Sequence, residues 1–184
     1  MTAVLNEKPY TVDDIEALPE GQRAELIDGD MYLLATPTRI HQRLSGQLHH
    51  AILSHLEQKE MPCDAYAAPF AVYIGGAEDN YNYVEPDISV ICDETKLTDK
   101  GCVGAPDWII EIVSPSSIQA DYMRKLSLYE RSGVREYWIV NPESQTVRTY
   151  FFANGEAVTR EYDFDDSIPV RICDGFRIRV NDLL

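Results

Sequence analysis

Two short apolar runs in this chain each carry an acid where a sheet core would be. The first is Val84-Glu85-Pro86-Asp87-Ile88-Ser89-Val90-Ile91, and the second is Asp107-Trp108-Ile109-Ile110-Glu111-Ile112-Val113. Both are rich in β-branched residues, too short for core helices, and bounded by turn residues, so they read as buried strands. A buried strand has little tolerance for a carboxylate. An ionised Asp or Glu there must be paired with a cation or must bind a metal, because leaving it alone is very costly. Asp87 and Glu111 are therefore the positions that the fold has to accommodate. Asp107 is a rival for the first acid, but it shares a run with Glu111 and reads better as a strand cap.

The surrounding pattern is that of an α/β chain. Residues 1–24 look irregular apart from a short helix begun by Thr11-Val12-Asp13-Asp14, with Thr11 as its cap. Asp28-Gly29 sits between the apolar stretches Ala24–Ile27 and Met31–Leu34, which is a hairpin signal. From about Thr38 to Glu57, Ile40, Leu44, Leu48, Ala51, Ile52 and Leu56 recur at helical steps as one stripe. Strand character returns at 65–74. A loop at Gly75-Gly76 precedes the run with Asp87, and a polar stretch from Asp93 to Ala105 precedes the run with Glu111. A helix is expected from about Ser117 to Arg131, stopped by Ser132-Gly133. Glu136–Val140, Thr146–Phe152, Ala157–Tyr162 and Phe176–Val180 complete the strands. Alternating helices and strands suggest a mixed sheet with helices on its faces.

At 184 residues the chain suits one domain over 1–184, with a core at about 24–141 and antiparallel strands at 145–182. No segment approaches the roughly 20 apolar residues of a membrane span, and no signal peptide is evident, so a cytoplasmic protein without membrane contact is expected. The four cysteines form no CxxC pair and read as free buried thiols in a reducing compartment. A net charge of −15 opposes non-specific nucleic-acid binding, leaving room for a small basic cleft or a partner subunit that supplies one, and for weak, salt-sensitive affinity.

Two carboxylates on neighbouring strands can hold a hard divalent cation such as Mg²⁺ or Mn²⁺, with waters completing the shell. Asp121, Lys125 and Tyr129 follow at four-residue steps and share a helix face, from which Lys125 can point back toward both acids. Read alone, Asp121–Lys125 is also the spacing of a surface ion pair, Tyr129 is also a core candidate, and a histidine at a helix start such as His41 is more often structural. Glu25, just before the hairpin turn, reads equally as a solvated strand end. His49, His50 and His55 lack metal-ligand spacing and read as helix surface.

The ordered set of Ala24–Gly29, His41 opening the long helix, Glu85–Ile88, Pro106–Ser116, Asp121 with Lys125 and Tyr129, and Gly133–Val140 resembles a known family. It is similar to the Uma-type family of proposed bacterial restriction endonucleases, within the PD-(D/E)XK, restriction-endonuclease-like superfamily. The resemblance implies a restriction-endonuclease-like core and Mg²⁺- or Mn²⁺-dependent DNA hydrolysis. It implies Asp87, Glu111, Lys125 and Glu25 as catalytic residues, and Asp87, Glu111 and the Ile112 carbonyl as metal ligands. It also implies His41 and Tyr129 as substrate contacts. The superfamily's lysine stands two residues after the second acid, where this chain has Val113, and the resemblance implies that Lys125 substitutes from the following helix. Cleavage of a duplex calls for two sites, so a homodimer is expected, with Thr149-Tyr150-Phe151-Phe152 as an exposed aromatic interface. The alternative is a non-catalytic dimeric binding or regulatory protein with a decayed site.

Overall fold

The computed structural model describes residues 2–4, 8–113, 121–153 and 155–184. In chain order the elements begin with β1 (Thr2–Val4), α1 (Val12–Glu16), β2 (Ala24–Ile27) and β3 (Asp30–Leu33). Next come α2 (Arg39–Gln58), β4 (Asp64–Ala67), β5 (Val72–Tyr73), β6 (Ile88–Ile91), β7 (Leu97–Thr98), β8 (Gly101–Val103) and β9 (Trp108–Ile112). They are followed by α3 (Leu126–Ser132), β10 (Glu136–Asn141), β11 (Thr146–Ala153), β12 (Glu156–Asp163), β13 (Ile168–Pro169) and β14 (Arg177–Ile178).

The centre is a six-stranded mixed sheet in the order β12-β11-β10-β9-β6-β4. Only β9 and β10 run parallel, because the chain between them crosses over through α3, whereas the other neighbours are antiparallel. All five residues of β9 and all four of β6 are buried, as runs apolar on both faces require. One face packs Ile88, Val90, Trp108, Ile110 and Ile112 against Leu44, Leu48, Ile52 and Leu56 of α2. The other packs Ile91, Ile109, Val113 and Tyr137 against Leu128 and Tyr129 of α3 and against β2–β3 and β5.

Local chemistry explains the ends of these elements. The β2–β3 hairpin turns on Asp28 (φ 53°) and Gly29 (φ 82°), two left-handed residues of the kind that match strand twist in a two-residue turn. Thr38 caps α2 by accepting the His41 N–H. Gly133, at φ 94°, ends α3.

Several expectations need correction. The N-terminal stretch is not wholly irregular: β1 pairs with β3, a three-residue strand too short to show alternation in the sequence. The strand expected over 65–74 is broken into β4 and β5 at Ala68-Pro69, since proline cannot donate to a ladder. Ile40 is 38% exposed and does not belong to the buried stripe of α2. His49 bonds the Ala65 carbonyl at 3.0 Å, and His55 stacks on Phe176, so neither is helix surface. Tyr150 is buried in a stack with Tyr137 and Phe152, so Thr149–Phe152 offers no exposed aromatic interface there.

Cys63 and Cys92 form a disulfide, and only Cys102 and Cys173 remain free and buried among the described residues. The ladder pairs Asp64 with Ile91, so one further antiparallel step sets Cys63 opposite Cys92. Sequence spacing cannot reveal such a cross-strand pair, and the inference of a reducing compartment loses its support for it. No described helix is long and apolar enough to cross a membrane.

Candidate active site

The β6–β9 ladder pairs Ile88 with Ile110 and Ser89 with Ile109. Continued by one residue, it sets Asp87 directly opposite Glu111. Asp87, in a bend just before β6 rather than inside the strand expected over Val84–Ile91, therefore sits level with Glu111 of β9, which no reading of either run alone could establish. Asp87 Oδ2 accepts the Ile112 N–H at 2.7 Å and lies 3.1 Å from His41 Nε2. His41 reaches it from the first turn of α2. The side chains of Asp87 and His41 are each 16% exposed, and they form the solvent side of the site.

Glu111 lies deeper, at 6% exposure. It alternates with Ile110 and Ile112, so it projects from the same sheet face as Ile109 and Val113, toward α3. There Lys125 and Tyr129, one helical turn apart, both reach it: Lys125 Nζ lies 2.7 Å from Glu111 Oε1, and the Tyr129 hydroxyl donates to the same oxygen at 2.7 Å. Lys125 ends a wide helical turn over Asp121–Lys125 that runs into α3, a backbone irregularity of a kind frequent at functional sites. The expected start of this helix near Ser117 and the side chain of Asp121 lie outside the described residues. Lys125 is 2% exposed, so it does not lie on the helix surface.

Glu25 is fully buried rather than solvated at a strand end. Its Oε1 accepts Lys125 Nζ at 2.9 Å and the Glu85 N–H at 3.0 Å. Two buried carboxylates thus share one ammonium. Tyr129, expected to touch substrate, is wholly buried with its hydroxyl on Glu111. Burial first, and the Glu111 and Glu25 carboxylates second, push its phenol well above the ordinary tyrosine range. Tyr129 is therefore a neutral donor that orients Glu111.

The structure disposes of the rival acid. Asp107, at the far end of β9, accepts the Cys92 N–H at 2.8 Å and pairs with Arg135 at 3.1 Å, tying strand ends together. A buried acid that was not singled out is Glu136, at 1% exposure. It accepts Trp138 Nε1 and the N–H groups of Arg171 and Ile172, and so fastens the C-terminal segment to β10. Burial raises its carboxyl pKa, against those hydrogen bonds. An acid opening the apolar run Tyr137–Val140 was the available signal, the same one that marked Glu111.

The larger cleft, about 550 Å³ and lined by Val12, Tyr73, Asp79 and Lys100 among others, contains none of these residues. A smaller one, about 280 Å³, runs beside the site between the β2–β3 hairpin and the outer face of α3, with Tyr32, Arg124 and Arg131 in its walls. No group of three His, Cys, Asp or Glu side chains arranged to hold a metal occurs among the described residues. The side-chain oxygen donors on offer are those of Asp87 and Glu111. With the Ile112 peptide beside Asp87, that set suits a hard cation that keeps part of its water shell.

A family model described as "Putative restriction endonuclease" matches residues 12–181. Two proteins of Synechocystis sp. are similar in sequence. The uncharacterized protein slr1290 is 25% identical over 130 residues, 70% of this chain and 66% of its own length, slightly under two thirds. The uncharacterized protein sll1609 is 26% identical over 152 residues, 81% of each chain. Among solved structures, "a putative nuclease belonging to DUF820" from Anabaena variabilis ATCC 29413 superposes with a TM-score of 0.76 at 24% identity. That match covers 95% of this chain and 97% of the other and establishes a shared fold.

Proposed function

The chain belongs to the Uma2 family, and from that premise we propose that it is a metal-dependent endonuclease that hydrolyses DNA phosphodiester bonds. The observation that carries this reading is the convergence of Lys125 on Glu111, which lies opposite Asp87 across the β6–β9 ladder. Asp87 and Glu111, with the Ile112 carbonyl, would hold Mg²⁺ or Mn²⁺. When bound, such an ion stabilises charge on the phosphate and lowers the pKa of an attacking water. Lys125, fixed by two carboxylates, presents positive charge toward the phosphate and orients that water. Tyr129 and Glu25 hold Glu111 and Lys125 in place. His41, beside Asp87 on the solvent side, meets the substrate. Water adds to phosphorus, the P–O bond to the leaving deoxyribose oxygen breaks and that oxygen takes up the proton the water gives up, so hydrolysis consumes no other reactant.

Asp87 and His41, each 16% exposed, open the site to solvent on that side, which suits a polymer backbone laid across a surface. We extend the proposal to a homodimer in which each site cuts one strand. The edge strand β12, exposed along nearly its whole length, is the surface available for it. A monomer by sedimentation at micromolar concentration would remove that extension.

The test is nicking of supercoiled plasmid at low salt, because a net charge of −15 makes affinity weak and salt-sensitive. Wild type should nick with Mg²⁺ or Mn²⁺ and stop with chelator, while Glu111→Ala, prepared identically, should not nick. Equal nicking by both points to a contaminating nuclease and favours the second reading, a non-catalytic binding protein. That reading draws on the same net charge and on Val113, which occupies the strand position where the superfamily carries its lysine.

A further inference from the structure

We infer that Glu25 is a positioning residue, which joins Lys125 to the segment carrying Asp87 and so sets where the ammonium points. That the aim serves phosphodiester hydrolysis rests on the function proposed above. The coupling itself rests on geometry alone.

One oxygen makes both contacts. Glu25 Oε1 accepts Lys125 Nζ at 2.9 Å and the backbone N–H of Glu85, two residues before Asp87, at 3.0 Å. Glu25 Oε2 is buried and has no hydrogen-bond partner among the described residues. Such an atom is costly, and a fold retains it only where the rest of the group does something that an apolar residue could not. Neutralising Lys125 is not reason enough, because Glu111 already supplies a carboxylate at 2.7 Å.

The backbone around Glu25 is built for this coupling. Leu26 N–H donates to the Tyr83 carbonyl at 2.7 Å, and Tyr83 N–H returns the bond at 2.9 Å. The Glu85 side chain is itself held, by Tyr83 at 2.9 Å and by Arg23 at 2.7 Å. Thus β2 and the segment leading into Asp87 form one unit, and Lys125 enters from the helix on the other side. The Glu25 carboxylate spans that joint. A carboxylate shortened by one methylene cannot keep both contacts from the same backbone position, so length as well as charge is set here.

The experiment follows the ammonium and the Glu85 amide directly. The chain has five lysines, so the side-chain ¹⁵N signal of Lys125 can be identified by its loss in Lys125→Met. In wild type, Lys125 should give a protected ammonium signal and the Glu85 amide should exchange slowly. In folded Glu25→Gln the ammonium signal should weaken or vanish, and Glu85 exchange should accelerate roughly ten- to hundredfold, the cost of one hydrogen bond to a charged group. Glu25→Asp, which keeps the charge, should lose both as well. With DNA, Glu25→Gln should lower turnover at saturating substrate and leave KM nearly unchanged.

Unchanged Lys125 and Glu85 signals in either folded variant would overturn the proposal, and survival of both in Glu25→Asp would reduce Glu25 to a counter-charge. These resonance and exchange readouts need no activity. Absence of cleavage by wild type would sink the nuclease reading and leave them intact.

Discussion

Lys125 Nζ lies 2.7 Å from Glu111 Oε1, both groups almost wholly removed from solvent, with a second carboxylate, Glu25, on the other side of the ammonium. The helix and the sheet are joined there by charge rather than by apolar packing. Desolvating three ionised groups is costly, and the cost is tolerated only while all three are together.

Lys125→Met should therefore destabilise the protein by about 3–5 kcal/mol, because it strands two buried carboxylates without their cation. Urea unfolding at neutral pH measures it. A loss below about 1 kcal/mol would mean that solvent reaches the cluster and that the pair behaves like an exposed one.

Tyr129 gives a pH dependence whose sign is fixed. Its folded-state pKa is raised, by burial first and by the Glu111 and Glu25 carboxylates after it, well above the ordinary value near 10. The folded protein then retains a proton that the unfolded chain releases, so the contribution is complete below pH 10 and declines as pH climbs above it. Stability should fall through the alkaline range more steeply in wild type than in Tyr129→Phe. At neutral pH that variant should lose about 1.5–3 kcal/mol, the worth of a hydrogen bond to a charged acceptor. Equal alkaline slopes in the two proteins would place the hydroxyl in water instead.

The Cys63–Cys92 bridge predicts a thiol count. Alkylation of the denatured, unreduced protein should modify two cysteines, Cys102 and Cys173, and reduction should raise that to four. Removing a bridge that closes a loop of 29 residues should lower stability by roughly 3 kcal/mol. Four reactive thiols before reduction would show that the pair is not joined in the purified protein.

Much of this arrangement was legible in the chain. The Asp28-Gly29 turn, most of the α2 stripe and the strand carrying Glu111 follow from rules that act over a few residues and are found where the pattern puts them, whereas the first run is a strand only over Ile88–Ile91, with Asp87 just before it. Asp87 and Glu111 stood out because a carboxylate is out of place in a buried strand. What local rules could not supply was the third dimension. Glu25 reads as a strand end before a turn, and only the packing of β2 against the segment before Asp87 buries it. Tyr129 reads as core by itself and as a substrate contact only by resemblance, and only the distance from its helix to the sheet turns its hydroxyl onto Glu111. The disulfide depends on a register between strands 29 residues apart. Ile40 fits the apolar stripe of α2 by spacing, yet it lies in the first turn and stays 38% exposed.

The central claim is that Asp87 and Glu111 share one divalent cation, and calorimetric titration with Mn²⁺ tests it most directly. Wild type should bind one ion per chain, and Asp87→Ala and Glu111→Ala, each still folded by circular dichroism, should both lose that binding. No binding by wild type, or binding unchanged in both variants, would contradict the account.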